Sequence, residues 1–232
     1  MENNNEVTEY LKTFIPLVDF IASILGPQSE VVLNDVTNLD HSVLYIRNSS
    51  ITNRKVGDPA SNFVLKFMKD GIDENTNFLA NYTGKSKSFP NLRSSTYFIR
   101  YHKQVVGMLC VNTDEAIIDD LFKQFELFKQ RFKIPASPII VENSPSTLNG
   151  LQSENFNETV ATLSAKAVKK KEDEVGFPVQ RFKQADKIDV VRSLYEDGYF
   201  FLKESVQTVA DCLHVSIPTI YRYLNKVKVK DA

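Results

Sequence analysis

Residues 206–225 contain the side chains whose types and spacing are best suited to chemistry, and that chemistry is binding. Thr219, Tyr221 and Asn225 carry hydroxyl or amide groups that both donate and accept hydrogen bonds, and Arg222 adds a fixed positive charge. Groups of these types contact phosphate oxygens and the edges of nucleotide bases. The segment therefore favours non-covalent recognition of a nucleic acid.

The same segment has the pattern of two short helices joined by a tight turn. The inward-facing positions of the first helix are Val206, Val209, Ala210 and Leu213. The positions that pack the second helix back onto the first are Ile220, Tyr223 and Leu224. Ala210 is small at the point where a crossing helix must come close. Together these offsets predict a helix-turn-helix, whose second helix enters the major groove of DNA.

The start of the second helix carries two further signals. Ser216 is a favourable N-cap, and Pro218 falls in the first turn, where a missing amide hydrogen costs little. The partial positive charge at a helix start also favours a nearby phosphate. We predict that the outward-facing residues of this helix contact DNA: Ser216, Ile217, Pro218, Thr219, Tyr221, Arg222 and Asn225.

A third helix, predicted over residues 187–197 and ended by Gly198, completes the core that a helix-turn-helix needs. Its apolar face consists of Ile188, Val191 and Leu194. His214 occupies the turn position where glycine is favoured, so either His214 adopts a left-handed conformation or the turn has a different geometry. A helical hairpin that only packs is the alternative to DNA binding.

The first half of the chain combines short strand patterns with amphipathic helix patterns. Residues 10–25 predict a helix in which Pro16 either produces a kink or begins a second helix. Another helix is predicted over residues 58–69. The strand patterns suit an antiparallel sheet, and the last two form a hairpin. They cover residues 30–35, 42–47, 78–82, 95–101 and 105–112.

A further amphipathic helix begins at Asp114, where Thr113 or Asp114 can cap the exposed amides. Its apolar positions lie on one side: Ile118, Leu121, Phe122, Phe125, Phe128 and Phe132. Prolines, serines and an Asn-Gly pair then interrupt the periodicity over residues 134–155, and a helix is predicted over residues 157–171. We therefore divide the chain into a first domain, a linker that includes this helix, and a helix-turn-helix domain, at residues 1–133, 134–175 and 176–232.

Composition is consistent with this division. The 232 residues, 42% of them apolar, have room for one large domain or two small ones. Basic side chains outnumber acidic ones after Ala165, which suits a polyanionic partner. Cys110 and Cys212 are too few for a disulfide framework and lack metal-ligand spacing. No signal-peptide pattern and no apolar run of membrane-spanning length is found, so we expect a cytoplasmic protein that binds no membrane.

Catalysis is the other class of function to consider. His41, His102 and His214 show no HxxxH or HExxH spacing, and the chain has no GxSxG motif and no glycine-rich phosphate loop. Asp119 and Asp120 are neighbours on a helix, so their carboxylates point apart. We therefore expect neither an enzyme nor a bound metal or cofactor.

Four segments of the chain resemble a known family, the YheO-like bacterial regulators, which join an N-terminal PAS-type domain to a C-terminal helix-turn-helix. The segments are GPQSEVVLND, SVLYIRNSSITNRKVGDP, GMLCVN and GYFFLKESVQTVADCLHVSIPTIYRYL. The resemblance implies an α+β protein, in which a PAS-like antiparallel sheet with flanking helices precedes an all-α helix-turn-helix domain. It also implies homodimerisation and control of transcription in response to a cytoplasmic signal.

Three places depart from the usual pattern of that family. Asn34 stands where histidine is usual, and Asn53 stands where glycine is usual. The pair Ile217-Pro218 replaces a start of the recognition helix that usually includes a basic residue. The loss of that charge removes a phosphate contact and alters the operator that the helix would read.

Polar residues beside the apolar strands are candidate ligand contacts in the first domain: Asn34, Asp35, Arg54 and Asn112. A PAS-like sheet can enclose a small-molecule pocket, or it can be a dimerisation platform with a filled core, in which Asp35 and Arg54 pair or cap turns. Cys110 is predicted to be a small core residue. The expected partners are double-stranded DNA with an inverted-repeat operator, a second copy of the chain and a small-molecule effector. The alternative is a non-sensory DNA-binding adaptor whose first domain only dimerises or recruits another protein.

Overall fold

The first domain is built on an antiparallel sheet. The structure, a computed structural model, describes residues 2–87, 89, 91–133, 154–156 and 159–228. The sheet has the order β2-β1-β5-β4-β3, and a two-residue strand, β6 (Glu154–Asn155), pairs in parallel with the edge strand β3. Its five main strands confirm those predicted from the sequence: β1 (Ser29–Asp35), β2 (Val43–Arg47), β3 (Phe78–Lys85), β4 (Leu92–Tyr101) and β5 (Gln104–Asp114).

Eight α-helices accompany these strands in the described part of the chain. They are α1 (Glu2–Lys12), α2 (Ile15–Leu25), α3 (Asn62–Asp70), α4 (Ala116–Arg131), α5 (Val160–Val175), α6 (Gln184–Glu196), α7 (Ser205–Cys212) and α8 (Ile217–Lys228). Pro16 lies in the first turn of α2, so the predicted entry helix is divided in two there. Helix α3 begins later than the predicted start at Asp58, because the hydroxyl of Ser61 accepts a hydrogen bond from the Val64 amide and caps the helix.

Two other sequence predictions concern residues that are only partly described. Most of the proline-rich and serine-rich segment, residues 134–153, and the predicted helix start at Asn157 lie outside the described residues. Helix α4 begins at Ala116 with Glu115 as its N-cap residue, two residues after the predicted start at Asp114, and the Asp114 carboxylate accepts a hydrogen bond from the Ala116 amide.

Each face of the sheet is covered by different helices, because successive strand residues point to opposite sides. Val31 and Leu33 point to the side on which α1 and α2 pack, where Leu11 and Val18 are fully buried. Val32 points to the opposite side, in a cluster that includes Val64 of α3. The sheet is therefore buried on both faces in its centre.

Helices α5 to α8 form a second core. Val168 of α5, Val191 of α6, Val209 of α7 and Ile220 of α8 are all buried in it. The hydroxyls of Ser164 and Tyr199 lie 3.0 Å apart inside this core. Helix α5, which the sequence places in the linker, thus packs against the same core as the helix-turn-helix.

The segment between α6 and α7 attaches the helical core to the sheet domain. Leu202 is 3% exposed and belongs to the apolar cluster that lies between α3 and the sheet. Beside it, the Lys203 amide donates to a carboxylate oxygen of Asp40 at 3.0 Å. The ammonium nitrogen of Lys69 on α3 lies 4.1 Å from the centre of the Tyr195 ring on α6. The two domains therefore share apolar, polar and cation–π contacts.

Gly198 lies at a close contact between the helical core and α3. Its φ is +71°, and a β-carbon placed there would lie 2.5 Å from the Leu65 carbonyl oxygen of α3. Gly176 has a similar φ of +77° but no atom near the corresponding position.

Gly176→Ala should cost about 1–2 kcal/mol of unfolding free energy from backbone strain alone. Gly198→Ala should cost about 1–3 kcal/mol more, because α6 must move away from α3. Urea unfolding of both variants measures the difference, and equal losses would contradict this close contact.

Candidate nucleic-acid interface and polar sheet face

The turn between α7 and α8 has the geometry of a helix-turn-helix. His214 has a φ of +51°, which confirms that it is left-handed at the position where glycine is favoured. The Val215 amide donates to the Ala210 carbonyl at 2.9 Å and closes the turn. Ala210, Leu213 and Ile220 are buried at the crossing of the two helices. The amides of Thr219 and Ile220 donate to the Ser216 carbonyl, which places Ser216 at the start of α8.

The residues predicted to contact DNA lie together on α8 and just before it. Thr219 is half-buried, and its hydroxyl lies 3.0 Å from that of Ser216. The other six are exposed: Ser216, Ile217, Pro218, Tyr221, Arg222 and Asn225. The opposite side of the helix is buried against the core through Ile220, Tyr223, Leu224 and Val227. The residues with hydrogen-bonding and charged groups thus remain accessible on a helix that the core holds in place.

Two further basic residues extend this surface. Lys226 and Lys228 are exposed in the last turns of α8, and Lys226 follows Arg222 by four residues, so the two occupy the same side of the helix. The sequence prediction stopped at Asn225 and did not include them. The alternation of lysine and valine after Asn225, with Val227 buried, is the signal that identifies them.

A second concentration of polar side chains lies in the sheet domain. It occupies the sheet face towards α3 and is called here the polar sheet face; its members are Glu30, Asn34, Ser94, Thr96 and Asn112. All five are 1% exposed or less. Asn112 connects its neighbours: its amide nitrogen donates to Glu30 at 3.0 Å, and its amide oxygen accepts from the Ser94 hydroxyl at 2.8 Å.

Glu30 is the buried carboxyl group of this face. Burial raises the pKa of Glu30 to about 7, although hydrogen bonds from Thr52 and Asn112 and the charge of Arg54 oppose the shift. The Thr52 hydroxyl donates to the Glu30 carboxylate at 2.6 Å, and the Thr52 amide donates to the same oxygen. Sequence reasoning missed Glu30, although residues 30, 32 and 34 of one strand must share a face.

The four predicted ligand residues are all buried, but they occupy different surroundings. Asn34 and Asn112 belong to the polar sheet face, and the side-chain oxygen of buried Asn34 has no hydrogen-bond partner among the described residues. The Asp35 carboxylate accepts hydrogen bonds from the Thr37 amide and hydroxyl, so it caps a turn. Arg54 donates to the Pro59 carbonyl. The ligand role of these four residues stays a prediction.

A cavity of about 250 Å³ lies beside the polar sheet face, where the loop that precedes α3 approaches the start of α5. Its walls include Thr52, Arg54, Ser61 and Thr159. Thr52 is also the hydrogen-bond donor to Glu30, so one residue connects the cavity wall to the buried carboxyl group. Asn53 next to it has a φ of +60°, which explains why glycine is suited to that position.

The described residues include neither a metal-binding cluster nor a membrane-spanning helix. No group of three or more histidine, cysteine, aspartate or glutamate side chains there is placed to hold a metal ion. No helix there is both long and apolar enough to cross a membrane.

An antiparallel sheet of this order, joined to a helix-turn-helix with an exposed recognition helix, defines a PAS-type DNA-binding regulator. A family model described as the YheO-like PAS domain matches residues 4–130, and one described as an HTH domain matches residues 163–225. The chain belongs to the YheO-like PAS family, and it is a transcriptional regulator with PAS-like and helix-turn-helix domains.

Relatives match over nearly the whole chain. The chain is 29% identical to the uncharacterized protein YheO of Escherichia coli K12, over 96% of this chain and 87% of that protein. It is 26% identical to an uncharacterized protein of Haemophilus influenzae, over 94% and 91% of the two chains. It is 23% identical to the transcriptional regulator DauR of Pseudomonas aeruginosa, over 94% of each chain. No solved structure matches the chain.

Glu30 should make the stability of the protein depend on pH. The folded protein keeps the Glu30 proton up to a pKa of about 7, whereas the unfolded chain loses it near the ordinary value of 4.5. The folded state therefore binds more protons between these values, and the contribution of Glu30 to the free energy of unfolding falls as pH rises through this window, by about 2–4 kcal/mol. Unfolding titrations from pH 4.5 to pH 8 should show a flatter dependence for Glu30→Gln, whereas Glu9→Gln, at an exposed carboxylate, should leave it unchanged. An unchanged slope in Glu30→Gln would contradict the assignment.

Proposed function

We propose that this regulator is a cytoplasmic homodimer that binds an inverted-repeat operator through α8 and responds to a small molecule bound by its PAS-like domain. The observation that carries the DNA-binding part is the exposed side of α8. Tyr221, Arg222 and Asn225 there combine hydrogen-bonding groups with a positive charge, on a helix whose other side is buried. A single short recognition helix contacts only a few base pairs, so specific binding requires two copies.

The sensing part is supported by the polar sheet face. Buried polar groups normally have hydrogen-bond partners, because leaving one unpaired costs about 1–3 kcal/mol. The side-chain oxygen of Asn34 has none in the described chain, and a ligand donor would supply it. The PAS-like domain also contacts the segment that leads into the helix-turn-helix, through Leu202 and Asp40. A ligand on this domain is therefore close enough to affect the DNA-binding helices.

A second candidate function is a non-sensory adaptor whose PAS-like domain only dimerises or recruits another protein. It is favoured by the hydrogen bonds among Glu30, Asn112 and Ser94, which satisfy one another without a ligand. A filled polar core of this kind makes a rigid platform. Capture of a protein partner by the isolated regulator, with no effect of any metabolite on its stability, would favour this function.

Operator binding is tested with the purified protein and DNA from the region upstream of its own gene, at two salt concentrations. We expect tighter binding to this DNA than to random DNA at both salts, and protection of two half-sites whose centres lie about 34–36 Å or a multiple of that distance apart. Equal affinity for both DNAs would refute sequence-specific regulation.

Arg222→Ala should weaken operator binding about 10-fold or more and reduce its salt dependence, because an exposed guanidinium that meets phosphate or guanine is lost. The fold should not change, because Arg222 is exposed. Lys169→Ala removes an exposed positive charge from α5 and serves as the control. Fluorescence anisotropy with a labelled operator measures the affinity of both variants and of the wild type. If Arg222→Ala binds the operator as tightly as the wild type does, Arg222 is not part of the interface.

Ligand binding by the PAS-like domain should raise the melting temperature of the full-length protein. At a ligand concentration about 100 times the dissociation constant, the expected rise is about 5–10 °C for a chain of this size. Pools of amino acids, amines, organic acids and nucleobases are suitable probes in a thermal-shift measurement. Asn34→Ala should abolish the rise, whereas Ser95→Ala, on the opposite face of the same sheet, should preserve it. If no pool raises the melting temperature, the adaptor function is the better explanation.

A further inference from the structure

The apolar side of α4 is uncovered in the described chain. Six side chains on it, the last of them on the residue that follows α4, are between 48% and 68% exposed: Ile118, Leu121, Phe122, Phe125, Phe128 and Phe132. We call these six residues the α4 seam. Five of them, all but Phe122, recur at alternating intervals of three and four residues, which is the spacing by which one helix packs along another. The spacing therefore indicates a helical partner that the described chain does not supply.

The size of the α4 seam matches an interface. A buried aromatic side chain covers about 150–250 Å², so the exposed fractions of the six residues amount to roughly 600 Å² per chain. The largest apolar patch on a typical monomer is about 300–600 Å², and patches at the upper end of that range are often functional. Two copies of the seam packed together would bury roughly 1,200 Å², the lower limit for a stable protein interface.

A second exposed apolar stripe lies on α2. Leu17, Phe20 and Ile24 of α2 are 43%, 61% and 65% exposed, at intervals of three and four residues. The end of α2 lies close to the start of α4, because the Asp114 amide donates to the Gln28 carbonyl at 2.9 Å. Its exposed area is roughly 300 Å² per chain, which a partner on the α4 seam would bury only where the two helices are adjacent.

The charges around the α4 seam favour a second copy over other partners. The seam itself carries no charged residue, so an identical seam is complementary to it. The neighbouring charges pair within the helix, Lys123 with Asp120 at 3.1 Å and Lys129 with Glu126 at 2.8 Å. A helix that lies on an anionic membrane instead carries an excess of basic residues on its polar side. Basic and acidic residues are balanced here, which disfavours a membrane.

We propose that the α4 seam is the dimer interface, in which α4 of one chain packs along α4 of a second copy. This inference rests on the proposed function only in that two recognition helices must act together. Helix α4 follows β5 directly, so the contact joins the two PAS-like domains. The interface would bury apolar side chains that the core of a single chain leaves exposed.

Sedimentation equilibrium of the full-length protein tests the interface. The wild type should have twice the 26.4 kDa mass of one chain. Phe125→Asp places a charge in the centre of the seam and should raise the dimer dissociation constant at least about 30-fold. Leu127→Asp is the matched control, because Leu127 is 58% exposed on the other side of α4. It should leave the dimer unchanged, and both variants should fold like the wild type by circular dichroism.

Two results would overturn the proposal. A monomeric wild type would mean that another occupant, such as residues 134–153 of the same chain, covers the α4 seam. A Phe125→Asp variant as dimeric as the wild type would place the interface elsewhere. Operator affinity measured on the same samples separates the inference from the proposed function. If Phe125→Asp dissociates the dimer, the interface is supported even when the wild type does not bind the operator. If the wild type binds the operator but Phe125→Asp remains dimeric, only the interface is refuted.

Discussion

The burial of Leu202 between α3 and the sheet is the contact on which the relation of the two domains depends. A leucine side chain buried in a foreign core contributes about 1.5–3 kcal/mol, and here it belongs to the segment that leads directly into α7. The Lys203 amide and Asp40 fix the backbone next to it. Gly198 allows α6 to approach the Leu65 carbonyl of α3. The helix-turn-helix is therefore positioned by the PAS-like domain as well as by its own core.

This position makes α3 the element that both halves of the protein contact. Glu30 of the sheet bonds to Thr52, and the loop from Thr52 leads through the capping residue Ser61 into α3. Helix α3 in turn meets the end of α6 near Gly198. A change of hydrogen bonding at the polar sheet face thus has a continuous set of contacts to the DNA-binding helices. Contiguity of this kind supplies a physical route, and coupling along it depends on whether α3 has two stable positions.

Local patterns were sufficient to predict most elements of both domains, although they missed the start of α1 at Glu2, eight residues before the predicted start. The strands and the crossing of α7 and α8 follow from periodicities that depend on neighbouring residues, whereas the sequence left the conformation of His214 open between a left-handed residue and a different turn. The polar sheet face could not be found in this way, because Glu30, Ser94 and Asn112 come from three strands and meet only through the register of the sheet. The contact of Leu202 with the other domain was equally hidden, because an apolar residue in a connecting segment does not reveal which core it enters.

Helix α4 shows a second limit of prediction from the sequence. Its apolar periodicity predicts correctly which residues share a face, yet the pattern alone does not distinguish the core of one chain from an interface between two. The distinction requires the folded domain, in which the two apolar clusters on the sheet include residues of α1, α2 and α3 but none of α4. Phe125 and Phe128 thus remain about half exposed although their spacing is as regular as that of buried helix positions. Apolar side chains that both clusters leave exposed are explained by a partner that contacts them, as proposed for the α4 seam.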